Sequence, residues 1–391
     1  MPAGIMPAMS AALWALLALQ ASASGYLALL AAAATARRRP SSNAGACRTR
    51  FAVVAPARDE ELRIRGLLDS LARQRYPSDK FSVHVVADNC TDATAAIARR
   101  LGATVHERIE PDWPGQGRAL RWLLERIDES EIDAFVFLDA GSRLSENFLS
   151  VMDARLQEGR GEALQPRNGV LEPASSPRIA LRALAYALRR HVRGRGKTAF
   201  GLSCGLWGNG LVISRSLLRA AGWRSFTTAE HAEQHARLLL AGARVAYVPE
   251  AEVLGETEAR NQQRRWARGR GRLLATYSRP LLGAAWRQRS ASPLAALAEI
   301  ALPPLPVLAV SAAVLAAAAW TGGSPAQAWL GVASLAALSG HIAAGLLGSG
   351  LPAKTYLALA PAPRFIVRQA WGYLRTMAEP ARTRAMRDRG P

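Results

Sequence analysis

The sequence predicts an α/β domain, built on a mostly parallel sheet flanked by helices, with transmembrane helices at both ends. Two observations carry that expectation. Between residues 48 and 280, short apolar β-rich runs alternate with amphipathic ones, the pattern of strands buried on both faces by crossover helices. Outside that region lie three apolar stretches, each near the roughly 20 residues that a membrane span requires.

The first stretch, Ala8 to Ala36, carries no charge and ends in Arg37-Arg38-Arg39. "QASAS" resembles a signal-peptidase site, but there is no basic segment before the apolar run and the apolar sequence continues past it. A retained anchor within residues 1–47 is therefore expected. The other spans are expected at about 300–320 and 326–347, inside a region from 281 to 350. Arginines after the first span, "YSRPLLGAAWRQRS" before the second and a basic tail over 351–391 all put the 48–280 domain on the cytoplasmic side of a bacterial-type inner membrane.

Lys and Arg number 50 against 30 Asp and Glu, a formal net charge of +20. Such an excess calls for an anionic partner. With three spans present, anionic membrane lipids or a phosphorylated substrate explain it better than nucleic acid does. Three cysteines, Cys47, Cys90 and Cys204, without CxxC spacing, speak against a disulfide framework or a zinc site.

Strands are expected at "RFAVVAP" (50–56), "FSVHVVAD" (81–88), "ATVHE" (103–107) and "AFVFLD" (134–139), and helices over 60–75, 91–101, 116–128 and 145–158. Parallel sheets bind ligands at the carboxyl ends of their strands. Arg58-Asp59-Glu60, Asp88-Asn89 and Asp139 all fall there, which favours a nucleotide-type pocket over three separate helix caps. Neither GxxxxGK[ST] nor GxGxxG follows a strand, so P-loop and Rossmann dinucleotide sites are disfavoured.

Taken in order, "VVAPARDEE", "VVADNCTDATAAIAR", "FVFLDAGSRLSENFL", "GLWGNGLVISRSLL", "AEHAEQHARLLLAGARVAYVPEA" and "QQRRW" resemble the membrane-bound family 2 glycosyltransferases, the cellulose- and hyaluronan-synthase-like group, over about residues 50–270. The resemblance implies a GT-A fold and inverting transfer from a nucleotide-sugar, usually a UDP-sugar, to a glycan or lipid acceptor, with Mg2+ or Mn2+. It implies further that Pro56, Glu60 and Asp88 line the nucleoside. Asp139 is the first acid of the family's DxD pair and would hold the metal. The Gly208-Asn209-Gly210 loop approaches donor and acceptor. Gln262, Arg265 and Trp266 form the QxxRW motif, with Arg265 on the diphosphate and Trp266 on the acceptor sugar.

Three positions depart from that pattern. The DxD pair reads Asp139-Ala140-Gly141, Gln116 stands for the family's lysine, and the acidic motif reads Glu230-His231-Ala232-Glu233. Asp139 with substrate phosphates can still hold an ion, and Arg118 can supply some positive charge. Neutral His231, at a helix start, can serve as base, with Glu230 or Glu233 orienting it or taking the proton. The alternative is a degenerate paralogue that binds nucleotide or acts as a membrane scaffold. His84, His106 and His191 receive no role, and a zinc site from His231 and His235 lacks a third ligand. The basic amphipathic run 177–197 suits either the membrane interface or a solvated helix face, whereas 360–377 is expected to be an interfacial helix and not a fourth span, because Arg364 and Arg368 interrupt its apolar run.

Overall fold

The computed structural model describes residues 5–35, 47–159, 162–223, 229–256 and 260–378; of 5–9, 260–268 and 376–378 it describes the backbone alone. Eight strands form one mixed sheet: β1 (Phe51–Ala57), β2 (Phe81–Asp88), β3 (Thr104–Arg108), β4 (Ala134–Phe137), β5 (Arg143–Leu144), β6 (Ala163–Val170), β7 (Leu211–Ser214) and β8 (Val245–Gly255). Their order is β3-β2-β1-β4-β7-β6-β8-β5. The four strands expected from the sequence form the parallel half, in which Phe51 faces Phe81 on one side and Ala134 on the other. Beyond β4 the sheet is mixed, because β7 runs antiparallel to both β4 and β6, and β5 antiparallel to β8.

Alternation along β1 explains the two layers. Phe51, Val53 and Ala55 enter one apolar core, packed under α2 (Ile64–Ala72), α3 (Thr94–Arg100) and α5 (Phe148–Gln157). Ala52 and Val54 enter the other, with α4 (Gln116–Leu124), α8 (Arg215–Ala221) and α9 (Glu230–Leu240). A strand covered on both faces needs an unbroken apolar run, and "FAVVAPA" supplies it.

The segment 177–199 is helical throughout, as α6 (Pro177–Tyr186), a π stretch (Ala187–Val192) and α7 (Arg193–Ala199). It packs against α1 (Ile5–Ala34) and α13 (Pro325–Gly348). Two glycines permit this approach. A Cβ at Gly196 would stand 2.2 Å from the Leu30 carbonyl oxygen of α1, and one at Gly345 would stand 2.1 Å from Leu188. Downstream come α10 (Arg260–Arg287), α11 (Ser292–Ala301), α12 (Leu305–Gly322), α14 (Ala353–Leu357) and α15 (Ala362–Ala378). Pro303-Pro304 separates α11 from α12, since proline cannot donate to the helical ladder.

Among the described residues, three helical stretches are long and apolar enough to cross a membrane: Ser10–Ala34, Leu305–Gly322 and Pro325–Gly348. Gln327, in the first turn of α13, donates to the Ser10 carbonyl at 3.2 Å. The starts of α1 and α13 therefore lie together, at the end remote from the Leu30–Gly196 contact.

Candidate functional site

The loop after β4 carries Asp139, exposed, with Gln116 Nε2 of α4 donating to its Oδ1 at 3.0 Å. Position 116 thus does touch the acid, through a neutral amide in place of an ammonium. Asn209 holds this loop from beneath. Its buried Oδ1 accepts from the Asp139 amide at 3.3 Å and from Ser142 Oγ at 2.8 Å. Its carbonyl accepts from Gln165 Nε2 at 3.0 Å and Asn168 Nδ2 at 2.8 Å, both on β6. The residue expected to face the acceptor is therefore tied inward.

Its two neighbours are glycines for steric reasons. Gly208 has φ +86°, and a Cβ there would fall 2.2 Å from the His231 ring; at Gly210, with φ +79°, it would meet Pro166 at 2.5 Å. The imidazole of His231, on the first turn of α9, accordingly lies against the glycine loop. Its Nε2 is 3.9 Å from Glu230 Oε1, and its Nδ1 is buried without a hydrogen-bond partner among the described residues. Burial, then the Arg190 charge, pulls His231 down to about 4, so the ring is neutral at pH 7. Glu233 is turned away from this group: its Oε1 accepts from Arg237 and from Tyr277, each at 3.2 Å.

The nucleoside-side residues cluster at the β1 and β2 ends. Pro56 lies in β1 beside Val86. Glu60 Oε2 pairs with Arg63 at 3.0 Å, and Arg63 Nε reaches Glu256 at 2.6 Å. Asp88 is buried, with Arg108 at 2.5 Å and Asn89 Nδ2 at 2.9 Å on its Oδ1. Sequence reading missed both arginines. Arg63 bears directly on the shortened metal motif, because a Cβ at Gly141 would touch its stem at 3.4 Å. The Arg63 stem, its guanidinium held by Glu60 and Glu256, stands beside the position where a second acid is lacking. No motif marks Arg63, and only proximity in the fold reveals it.

Asp59, Cys90 and Asp92 are the one group of three metal-capable side chains found among the described residues. Their oxygens are engaged in turns, Asp59 with Thr91 at 2.8 Å and Asp92 with Thr94 at 2.9 Å, and burial pushes the Cys90 thiol up. They cap the loop after β2. The side chains of Gln262, Arg265 and Trp266, in the first turns of α10, lie outside the described residues.

A family model described as "Glycosyltransferase like family 2" matches residues 48–272, more than half of the chain. The chain belongs to glycosyltransferase family 2. A mannosyltransferase from Pyrobaculum calidifontis, solved with GDP-Man and Mn2+, superposes on this glycosyltransferase with TM-score 0.55 at 20% identity, covering 87% of this chain and 98% of that one. That likeness establishes a GT-A-like fold. Glucosyl-3-phosphoglycerate synthase from Mycobacterium tuberculosis, with Mn2+ and UDP, gives TM-score 0.41 at 20% identity over 62% of this chain and 87% of that one. The 4,4'-diaponeurosporenoate glycosyltransferase of Staphylococcus aureus is 41% identical over 70 residues, which are 17% of this chain and 18% of that protein. The glycosyltransferase thus spans under a fifth of the curated relative it matches.

The donor set at Asp139 fits a divalent ion that keeps most of its shell from water and phosphate, because among the described residues the DxD position offers one exposed carboxylate.

Proposed function

We propose that this glycosyltransferase moves a sugar, with inversion, from a UDP-sugar or related nucleotide-sugar to a glycan or lipid acceptor at the cytoplasmic face of a bacterial-type inner membrane. The observation that carries the reading is one continuous unit: Gln116 on Asp139, Asp139 on Asn209, and the Gly208 turn against His231 and Glu230. Donor-side and acceptor-side groups are positioned by the same loop.

Breaking the glycosidic bond builds charge on the departing diphosphate. Asp139 would hold the divalent ion, which supplies electrostatic stabilisation of that charge when bound. Arg63 stands at the neighbouring position with its charge taken up by Glu60 and Glu256, and Arg265 is the candidate cation from the sequence. On the acceptor side, a hydroxyl nucleophile must lose a proton. Glu230 and His231 are the groups placed to take it, and neutral His231 has a free lone pair above about pH 4.

Membrane attachment is supported by the three apolar helices and by their sidedness. The Gln327–Ser10 contact puts one end of the bundle at the uncharged turn between α12 and α13, flanked by exposed Trp320 and Trp329, as interfacial tryptophans are. The GT-A domain rests at the opposite end. Incubating the purified full chain with radiolabelled UDP-sugars and GDP-Man tests the reading. Transfer or hydrolysis is expected, falling at least about a hundredfold in Asp139→Ala, roughly the loss of a major electrostatic group. Nucleotide binding without turnover of any donor would establish the degenerate paralogue instead.

A further inference from the structure

Where α7, α9, α10 and α11 meet, a cavity of about 60 Å³ is lined by Arg189, Lys197, Arg270, His235 and Glu299, among others. At about 10–15 Å³ per water it has room for about four waters, or for one phosphate-sized group. Its charge is lopsided. Although burial pushes the Glu299 carboxyl up, Lys197, Arg193 and Arg189 together bring it down to about 2, so it contributes one full negative charge. Arg193 pairs with Glu299 Oε2 at 3.3 Å, and Tyr26 of α1 donates to Oε1 at 3.4 Å. Four cations therefore surround one carboxylate.

Lys197 is the telling member. It is 3% exposed, and its Nζ stands 3.7 Å from Glu299 Oε1, within ion-pair range and beyond a hydrogen bond. Among the described residues, that ammonium has no hydrogen-bond acceptor, although buried ammonium groups demand them. Arg193 Nε is likewise buried and unpartnered. Arg270 is already held by the Ile300 and Glu299 carbonyls, at 3.0 and 3.1 Å, and frames the wall. Arg189 stands exposed at the rim. Such a lining suits a compact oxyanion with several acceptor lone pairs.

Position says what carries that oxyanion. Lys197 follows Gly196, on which the Leu30 carbonyl of α1 rests, so the cavity lies where the apolar helix leaves the domain. Trp207 and Ala232, both in its lining, are the chain neighbours of Gly208 and His231. The cavity adjoins the transfer site on its membrane-facing side.

We propose that this cavity docks the anionic head, phosphate or carboxylate, of a lipid acceptor. The inference rests on the glycosyltransferase reading above and narrows its acceptor to an acidic amphiphile.

The test is calorimetric titration of the full chain in phosphatidylcholine nanodiscs, with empty nanodiscs subtracted, using decyl phosphate, decanoate, decanol, inorganic phosphate and UDP. At least one of the two acidic amphiphiles is expected to bind tenfold or more tightly than decanol, and the tighter of them names the acid. Lys197→Met and Arg189→Gln should each weaken that binding at least tenfold while UDP affinity stays within twofold, which also reports that the variants fold. Equal affinity for decanol, or no change in either variant, overturns the proposal. Inorganic phosphate binding as tightly as decyl phosphate overturns the lipid source and leaves a site for a soluble anion. Failure of the wild-type chain to bind UDP would count against the donor site, and the amphiphile result would still stand or fall by itself.

Discussion

Asp88 and Arg108 are each almost fully enclosed, and the pair is sealed by Asn89 on one side and by Glu110 at 2.7 Å on the other. Removing one partner of a buried pair strands the other charge in a poor solvent, at a cost of about 3–5 kcal/mol. Arg108→Met is therefore expected to destabilise the domain by about that amount, read as a lowered unfolding midpoint in urea, whereas Arg121→Met, on an exposed i,i+4 pair, should be nearly silent. Asp88 was legible as a strand-end acid; its counter-charge was not, because Arg108 is an ordinary arginine until β3 is laid beside β2. The same holds for Arg63 next to Gly141. For His231, the sequence suggested that a helix start would keep the ring neutral, whereas burial against the glycine loop dominates.

The elements that the sequence revealed are those whose residues do only one thing. β1 and β4 are apolar runs, β2 is mostly one, and all three were recognisable as such, whereas β3, "TVHER", was readable only as a short β-rich run between two helical stretches. β6, "ALQPRNGV", contains Pro, Arg, Asn and Gly and lacks a strand signature, because Gln165 and Asn168 are there to hold the Asn209 carbonyl. β8 has Pro249 in its interior, and the β6–β8 register jumps from Pro166–Val248 to Arg167–Glu252 around it, an irregularity no periodicity count anticipates. β5, at two residues, is too short to see. Asn209 ties these elements together, linking the turn before β7 to both the Asp139 loop and β6. Asn209→Ala leaves Ser142 Oγ and the Asp139 amide without their acceptor, a loss of about 1–3 kcal/mol. The expected outcome is a lower melting temperature together with weaker UDP binding by titration, even though Asn209 itself is buried away from solvent.

The five histidines outside the apolar helices are all lowered mainly by burial: His84, His191 and His231 to about 4, His235 to about 3, and His106 below the ordinary value of 6.5. A depressed histidine favours the folded state fully above 6.5. As pH falls below that value, protons bind the unfolded chain first and stability drains away until the folded values are reached. Glu299, held low, acts only below its ordinary 4.5 and leaves this window to the histidines. Scanning fluorimetry from pH 7.5 to 5 should show a level melting temperature above 6.5 and a steady decline below it; a flat trace throughout would contradict the buried, neutral assignment.

The seam between Leu30 and Gly196 has one more consequence. Because the first helix lies flush on the backbone of α7, one residue from the ammonium of Lys197, it is masonry of the enzyme as much as a mooring. A shortened polypeptide starting at residue 47 would retain every strand and yet lose the helix that lies on Gly196 and the Tyr26 hydroxyl that donates to Glu299. On the proposed reading, anchoring and chemistry meet in the same few ångströms of contact, and a redesign of either has to reckon with the other.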